Sequence, residues 1–274
     1  MAGRSIVVTG STRGIGRGMA AEFLKRGHDV MVSGRTQAAV EETVAALAPL
    51  AADGARVAGA PCDVSDAAAV QHLWDAAAAA FGRVDIWINN AGLSHPRQTI
   101  GELRAADIDI VAETNLLGMM LGTQTALAGM RAQSGGGTIW NMEGFGSNGM
   151  MSPGMSLYGA SKFALTYFNK ALLAETRDDA VKICWLSPGI VVTDLVKRDM
   201  GSTGEREAAR TRRLYDILAD RVETVTPWLA ARILEPHKSG DRVAWLTNGK
   251  AFRRFAGSLF RKRQVLADSD FASG

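Results

Sequence analysis

Short runs of β-branched and aliphatic residues alternate, along most of the chain, with longer segments whose apolar residues recur at helical spacing. The short runs predict strands at residues 5–9, 29–33, 56–60, 84–89, 137–142, 182–186 and 242–246. The helical segments are residues 14–26, 37–52, 67–81, 105–133 and 156–178. Strands separated by such helices predict right-handed βαβ units. We therefore expect an α/β fold: a single doubly wound, Rossmann-like parallel sheet with helices on both faces.

No Pro- or Ser-rich linker and no internal repeat divides the chain. Residues 1–248 are therefore expected to form one Rossmann-like domain, with a helical substrate lid at about residues 190–222. Residues 249–274 are expected to form a basic, aromatic C-terminal extension. The chain has 274 residues, is 47% hydrophobic and carries a net charge of +3, a composition typical of a folded protein rather than a disordered one.

Composition also limits the cellular compartments, metal sites and macromolecular partners expected for the protein. Two cysteines, Cys62 and Cys184, exclude a disulfide scaffold and offer no zinc site of the usual spacing. The sequence shows no apolar stretch of signal-peptide length and no membrane-spanning window, so we expect a cytoplasmic, metal-free protein. Six cations lie between Lys250 and Arg263, and leaving them out turns the net charge of +3 into −3. Nucleic-acid binding by the main body is therefore not expected.

A glycine-rich segment, TGSTRGIG, begins at Thr9 between the first predicted strand and the first predicted helix. Glycines let the backbone approach a diphosphate, and a helix N-terminus offers N–H groups and partial positive charge. An ordinary turn is the alternative, but the strand–turn–helix context favours dinucleotide binding. The residues expected to bind the cofactor here are Gly10, Ser11, Thr12, Arg13, Gly14, Ile15 and Gly16.

Further motifs follow in order: Asp63 after the third strand, Asn89-Asn90-Ala91-Gly92, Asn115, Tyr158-Gly-Ala-Ser-Lys162, and Pro188-Gly189 with Thr193. Together with the glycine segment they resemble the classical short-chain dehydrogenase/reductase family over roughly residues 5–194. The resemblance implies cofactor contacts by Asp63, Val64, Asn90, Ala91, Gly92, Tyr158, Lys162, Pro188, Gly189, Ile190 and Thr193. It also implies a homodimer or homotetramer that acts on a small-molecule substrate.

The choice of cofactor depends on charge at the end of the second strand. An acid there would bind the ribose 2′-hydroxyl of NAD, but this chain has Ser33-Gly34-Arg35, and Arg13 lies in the glycine segment. We therefore expect NADP(H), with Arg13, Ser33 and Arg35 bonded to its 2′-phosphate. The alternative is that both arginines are solvated surface residues.

Tyr158 and Lys162 are spaced i and i+4 on a predicted helix, so both side chains lie on one face. An ammonium beside a phenol stabilises the phenolate and brings the phenol pKa toward the working range. This arrangement predicts that Tyr158 transfers the proton while a hydride moves between nicotinamide and carbonyl carbon. The resemblance implies that Lys162 holds the nicotinamide ribose and Asn115 holds a water that relays protons. The alternatives are a half-buried tyrosine, a solvated lysine and an asparagine bonded to local backbone.

The fifth strand departs from the family pattern, because Glu143 and Gly144 stand where two serines are usual. The group that would bind the substrate oxygen is then the Ser147 hydroxyl, backbone N–H groups, or Glu143 as an acid or base. The run from Asn141 to Ser147, together with the segment after Leu246, resembles the chlorophyll b reductase branch of the family. That branch reduces a formyl group on a large, lipophilic tetrapyrrole.

Three hypotheses follow. The first is an NADP(H)-dependent oxidoreductase that interconverts a carbonyl and an alcohol on a bulky, apolar substrate. The others are a non-catalytic dinucleotide-binding scaffold or sensor, and an epimerase or dehydratase on the same fold. A Gly- and Met-rich segment at residues 144–157 could line an apolar pocket. Phe252, Phe255 and Leu259 predict an apolar helix face in the basic extension, for which a subunit interface or packing onto the lid is favoured over membrane contact.

Overall fold

The fold of the computed structural model is built on a seven-stranded, parallel sheet, and the structure describes residues 3–196, 205–260 and 263–266. The sheet order is β3-β2-β1-β4-β5-β6-β9. Its strands are β1 Ser5–Val8, β2 Asp29–Gly34, β3 Val57–Pro61, β4 Ile86–Asn89, β5 Gly137–Met142, β6 Val181–Ser187 and β9 Arg242–Ala244. Two short strands, β7 Val191–Val192 and β8 Asp220–Arg221, pair with each other in parallel. The doubly wound sheet predicted from the sequence is confirmed.

Helices cover both faces of this sheet. They are α1 Gly14–Leu24, α2 Gln37–Leu47, α3 Ala67–Phe81, α4 Ala105–Ala112, α5 Gly118–Ala132, α6 Ser156–Glu175, α7 Glu205–Leu218, α8 Val222–Ile233 and α9 Asn248–Ser258. Alternate residues of each strand point to opposite faces, so Ile6 and Val8 enter one core cluster and Val7 enters the other. Both faces are buried, which is why the strands read as continuous apolar runs.

Strands are added in opposite directions across the sheet from β1 and from β4, although all of them run parallel. The chain builds β2 and β3 on one side of β1, and β5 and β6 on the other side of β4. The loops that follow β1 and β4 therefore diverge and leave a crevice at the carboxyl edge of the sheet, where ligands bind in folds of this type. The glycine segment follows β1, and the Asn90-Ala91-Gly92 turn follows β4, so both border this crevice.

Two helical features differ from the sequence-based expectation. The predicted helix at residues 105–133 is interrupted by a π-helical turn, Glu113–Leu117, in which the Gly118 N–H bonds to the Glu113 carbonyl oxygen. Helix α8 was not predicted, because Pro227 lies inside it and its first turns contain several β-branched residues. Burial of its apolar side chains against α1 overrides these weak local preferences.

The predicted lid region is joined at both ends to the body of the protein. Strands β7 and β8 pair at its base, and α7 lies between them, while residues 197–204 fall outside the described part of the chain. Val196, Tyr215 and Ala219 form a small apolar cluster with Leu266 from the C-terminal extension. The extension therefore packs onto the lid. Of the helices in the described ranges, none is both long and apolar enough to cross a membrane.

Candidate active site

The glycine segment after β1 is held against the end of β4 by side-chain hydrogen bonds. The Asn90 Nδ2 donates to the Thr9 and Gly10 carbonyl oxygens at 2.8 and 3.0 Å. The Thr9 hydroxyl accepts from the Asn90 and Ala91 N–H groups, both at 3.0 Å. Gly10 has a φ of +61°, and a Cβ there would lie 2.9 Å from the Ala91 Cα. Only glycine fits this position without a shift of the turn.

Helix α1 presents an N-terminus whose N–H groups can receive an anion. Its N-cap residue, Arg13, has an extended backbone and makes no side-chain capping bond. Thr193 lies above this loop, since a Cβ on Gly14 would be 3.4 Å from its Cγ2. Gly189 and Ile190 belong to the same segment after β6. A close-fitting glycine turn before an uncapped helix start suits the diphosphate of a dinucleotide.

Ser11 has an internal role that the sequence did not indicate. Its hydroxyl is fully buried, donates to the Val8 carbonyl oxygen at 2.7 Å and accepts from the Ser33 N–H at 2.9 Å. The Ser11 N–H in turn donates to the Ser33 carbonyl oxygen. The side chain of Ser11 therefore joins the ends of β1 and β2 and shapes the loop from inside.

A pocket beside the end of β2 is lined by three arginines, Arg13, Arg17 and Arg35. Thr12, Thr36, Ala39, Thr43 and one acid, Glu42, complete its lining. Arg13 also reaches Asp194, with 3.4 Å between the Arg13 Nη1 and the Asp194 Oδ2, and both side chains are exposed. Sequence reasoning missed Arg17, although its i+4 spacing from Arg13 on a helix was a readable signal.

Ser33 does not lie in this arginine pocket. Its side chain is fully buried, and within the described ranges its hydroxyl oxygen has no hydrogen-bond partner. Its backbone N–H and carbonyl are both bonded to Ser11. The expectation that Ser33 bonds the 2′-phosphate is therefore not met by this geometry, because the side chain is fully buried and does not line the pocket.

Asp63, after β3, is exposed and forms a local turn. Its Oδ1 accepts hydrogen bonds from the Ser65 hydroxyl at 2.7 Å and the Ser65 N–H at 3.0 Å. These bonds, with a smaller effect of the nearby Arg35 charge, lower the pKa of the Asp63 carboxyl. Val64 is buried against α5, where a Cβ on Gly118 would lie 2.6 Å from its Cγ2. An adenine ring near this edge would meet a fixed carboxylate and an apolar contact.

Tyr158 and Lys162 are both buried on the inner side of α6. The Lys162 Nζ donates to the Met142 carbonyl oxygen, at the end of β5, over 3.3 Å. The same nitrogen lies 5.9 Å from the centre of the Tyr158 ring. Burial lowers the pKa of Lys162 to about 8, although the nearby Glu143 charge acts in the opposite direction. An ammonium of this kind is charged at neutral pH and can deprotonate close to it.

Lys162 also reaches the turn that follows β4. A Cβ on Gly92 would lie 3.7 Å from the Lys162 Nζ and 3.4 Å from the Asn115 Oδ1. The fold therefore brings together Lys162, Asn115 and the turn that binds the glycine segment. Parallel strands end at the same edge of a sheet, which is why residues so far apart in sequence meet here.

Asn115 occupies the π-helical turn and is fully buried. Its Oδ1 accepts from the Leu93 N–H at 2.8 Å, and its Nδ2 donates to the Leu93 carbonyl oxygen at 2.9 Å. The Nδ2 also donates to the Ser161 hydroxyl at 3.1 Å. Both amide hydrogens are thus engaged. The side chain is a clamp between the β4 loop and α6, and the water that the resemblance implies at this amide stays a prediction.

Gly144 lies directly beside the Tyr158 phenol. A Cβ on Gly144 would lie 2.5 Å from the Tyr158 Oη and 3.1 Å from the Lys162 Cγ. The Gly144 N–H donates to the Ser147 hydroxyl oxygen at 3.1 Å, so the hydroxyl keeps its own proton for another acceptor. Glu143 turns away from the phenol and forms a two-pronged ion pair with Arg242, 2.7 Å between Oε2 and Nη2.

His95 follows the Asn90-Ala91-Gly92 turn and lies against the start of α6. Its ring is buried, and its Nε2 accepts from the Tyr158 N–H at 3.2 Å. The Nδ1 lies 2.7 Å from the Pro96 carbonyl oxygen, to which it donates when Nε2 is the acceptor. The imidazole therefore caps the first turn of α6 and holds the backbone of Tyr158. Its place just after the Asn90-Ala91-Gly92 turn was the one available signal.

The class of protein follows from comparison with known families. A family model described as short chain dehydrogenase matches residues 4–202, so the chain belongs to the short-chain dehydrogenase family. This match confirms the family resemblance seen in the sequence. It supports an oxidoreductase that acts on CH–OH or C=O groups.

Similarity to curated relatives indicates the branch of the family to which the chain is most similar in these comparisons. The chain is 34% identical over 258 residues to the probable chlorophyll(ide) b reductase NYC1 of Oryza sativa subsp. japonica, covering 89% of this chain and 50% of the relative. It is 35% identical over 258 residues to the chlorophyll(ide) b reductase NOL of Arabidopsis thaliana, covering 91% of this chain and 72% of the relative. The chain therefore spans about half the length of the NYC1 relative.

Solved structures show the same fold. Levodione reductase has a TM-score of 0.80 at 24% identity, covering 92% of this chain and 99% of that chain. An alcohol dehydrogenase from Thermococcus sibiricus, complexed with 5-hydroxy-NADP, has a TM-score of 0.72 at 21% identity, covering 88% and 95%. Neighbours on this fold bind nicotinamide dinucleotides of the NAD(P) type.

The expected cytoplasmic location is wrong on this comparison. The NYC1 and NOL relatives from both Oryza sativa and Arabidopsis thaliana are chloroplastic proteins. The expectation failed because a low cysteine count excludes a disulfide scaffold without distinguishing one disulfide-poor compartment from another.

Gly144→Ala tests the closeness of Gly144 to the phenol. The added methyl would overlap the Tyr158 Oη, so the ring must move, and we expect kcat for carbonyl reduction to fall about 100-fold. Cofactor affinity, measured by fluorescence titration, should not change. Gly159→Ala is the matched control, since a Cβ there meets no atom within 4 Å. Wild-type turnover in Gly144→Ala would contradict this placement of Tyr158.

Lys162→Met tests how much the buried ammonium lowers the free energy of unfolding. Because burial lowers the Lys162 pKa to about 8, the unfolded chain binds more protons than the folded chain between about pH 8 and its ordinary value of 10.5. The free energy of unfolding of the wild type should therefore rise with pH across that window.

Below that window both states are protonated, and the folded state bears the whole desolvation cost. We expect Lys162→Met to be more stable than the wild type by about 1–2 kcal/mol at pH 7 and to lose this advantage by pH 10. Urea denaturation at both pH values measures the difference. Lys170→Met, at an exposed lysine on α6, is the control for the loss of a lysine from the same helix. A pH-independent difference for Lys162→Met would argue against a buried charge.

Proposed function

We propose that this protein is an NADP(H)-dependent oxidoreductase that interconverts a carbonyl and an alcohol on a bulky, apolar substrate. The observation that carries the proposal is the position of Lys162, whose Nζ meets both the end of β5 and the turn after β4. This position joins the Tyr158 phenol to the crevice with the glycine segment. The family supplies the reaction type, and the residues described above supply the proposed chemistry.

A dinucleotide held by the glycine segment and the arginine pocket would supply a hydride to the carbonyl carbon, or accept one from the alcohol carbon in the reverse direction. Tyr158 donates the proton to the carbonyl oxygen, or removes it from the alcohol in the reverse direction. Lys162 favours the phenolate through its charge, so the phenol can transfer its proton near neutral pH. Asn115 and His95 are positioning residues, since they fix Leu93, Ser161 and the backbone of Tyr158.

The sequence offers three groups that could replace the usual serine at the substrate oxygen. The Gly144 N–H is bonded to Ser147, which counts against that backbone donor. Glu143 is paired with Arg242, which counts against an acid or base at that position. The Ser147 hydroxyl is nearly buried and retains its proton, so we propose that it donates to the substrate oxygen together with Tyr158.

The cofactor preference rests on the charge of the pocket beside β2. Three arginines and one glutamate line it, and a 2′-phosphate fits this excess of positive charge. The uncapped start of α1 and the close glycine turn suit the diphosphate. NADP(H) is therefore proposed over NAD(H), with Arg13, Arg17 and Arg35 as its phosphate ligands.

The substrate class is proposed from the site loop and the relatives. Met150 and Met151, after Gly144, are exposed and polarizable side chains that adapt to irregular apolar ligands. The absence of a side chain at Gly144 lets the Tyr158 Oη lie close against the loop after β5. With the chlorophyll(ide) b reductases among the relatives, we propose a formyl group on a large tetrapyrrole as the substrate.

A homodimer or homotetramer remains part of the proposal. Phe163 and Tyr167 are exposed on the outer face of α6, and Leu117 and Met120 are exposed beside the start of α5. The family is generally oligomeric, and these side chains form the surface on which a second copy would pack.

The function is tested by NADPH oxidation with chlorophyll(ide) b and with smaller apolar aldehydes. We expect turnover by the wild type and a loss of about 100-fold or more in Tyr158→Phe, which retains NADPH binding. Tyr167→Phe removes an exposed hydroxyl from the same helix and should leave turnover unchanged. NADPH binding without reduction of any carbonyl would instead favour the non-catalytic scaffold.

The cofactor preference is tested by comparing KM values for NADPH and NADH. Removal of both side chains in Arg17→Ala/Arg35→Ala should raise the KM for NADPH by about 10-fold or more and leave the KM for NADH unchanged, because only NADPH carries the 2′-phosphate. Arg104→Ala, at an exposed arginine that pairs with Asp107, is the control. A wild type that prefers NADH would reject the assignment.

A further inference from the structure

Helix α9 presents an apolar face that is largely exposed in the described part of the chain. Phe252, Leu259 and Phe260 are 74%, 79% and 92% exposed, and Phe255 is 44% exposed. Spacings of three and four residues place Phe252, Phe255 and Leu259 on one side of α9 and its C-cap, and Phe260 follows in the turn. Four large apolar side chains on one short segment far exceed the scattered exposure that is normal for a protein surface.

The opposite face of α9 is bound to the protein by charge. Arg254 donates to the Leu218 carbonyl oxygen at 2.7 Å and pairs with Asp220 at 2.7 Å. Lys250 lies over the Trp245 ring, with its Nζ 2.9 Å from the ring centre. Asp220 is buried and also receives the Trp245 Nε1–H and Arg263. The helix is therefore folded and oriented before any partner arrives, with its phenyl groups directed outward.

The charge around this face favours an anionic partner. Residues 248–263 contain six cations and no acid. Of the cations on α9, Arg253 is exposed, and it lies about 100° around the helix from Phe252. A symmetric contact with a second copy would place this same basic patch against itself, and like charges would repel. An apolar face with basic residues alongside it is typical of helices that lie in a lipid–water interface.

We propose that α9 docks on an anionic lipid surface, with Phe252, Phe255, Leu259 and Phe260 inserted at the boundary between headgroups and acyl chains. The helix has 11 residues, enough for three turns parallel to the surface. Arg253 remains at headgroup level, where it meets lipid phosphates. This is peripheral binding, and it requires no membrane-spanning helix.

Docking by α9 also determines which part of the protein faces the lipid. Arg254 and Arg263 bond to the Leu218, Ile217 and Ala219 carbonyl oxygens, at the end of α7. Helix α9 and the lid are thus fixed to each other, so the lid lies close to the lipid surface when α9 is docked. The lipid binding itself does not depend on the proposed function, since it uses no residue of the catalytic site.

The experiment is flotation of the full chain with vesicles of phosphatidylcholine, with and without phosphatidylglycerol. We expect the wild type to float with the anionic vesicles and to bind the neutral ones more weakly, with binding reduced by high salt. Phe252→Glu/Phe255→Glu should reduce partitioning by about tenfold or more. Phe252→Leu/Phe255→Leu keeps an apolar face and should retain most of the binding.

The control for added charge is Ala46→Glu/Ala79→Glu, which introduces the same two charges at exposed positions on α2 and α3. This control should float like the wild type, and NADPH affinity should be equal in all variants. Equal flotation of the wild type and Phe252→Glu/Phe255→Glu would overturn the proposal. A fall in molar mass of that variant in solution, measured by light scattering, would also overturn it, because α9 would then cover a second copy.

Discussion

A charged group is kept in a place from which water is largely excluded, and the rest of the candidate site is arranged around it. Lys162 is buried, its Nζ has the Met142 carbonyl oxygen as an acceptor, and its pKa is lowered to about 8. Glu143 lies close enough to oppose that shift, but its carboxylate is bound to Arg242. The ammonium is therefore compensated only in part, which keeps its charge available to the neighbouring phenol.

Much of the fold could be predicted because its signals are local. Helix α3 has the bounds expected from sequence, since the Asp66 side chain caps its first N–H groups and Gly82 ends it in a left-handed conformation. Strand β5 also has the expected bounds. Helix α8 and the π-helical turn at Asn115 were missed because tertiary contacts decide them: burial against α1 in one case, and the clamp on Leu93 in the other.

The arrangement of the site was predictable where helix spacing and the common edge of the sheet determine it, and less so at the end of β2 and in the loops. Tyr158 and Lys162 share a helix face because of their i, i+4 spacing. Asn115 reaches them because the segments after parallel strands lie at the same edge of the sheet. Ser33, expected in the phosphate pocket, is turned inward by its bonds to Ser11, and strand alternation could not locate a residue at the strand end. The environment of Gly144 depends on the fold of the loop after β5, which a residue count along the chain does not describe.

Asp220 links the chemistry of the site to the surface of the protein. Its backbone N–H bonds to the Ile190 carbonyl oxygen, within the segment expected to contact the cofactor, and its carboxylate holds Arg254 and Arg263. A buried carboxylate with two guanidinium partners is stable only while both remain in place. Strand β8, at the base of the predicted lid region, and α9 are therefore held together through Asp220.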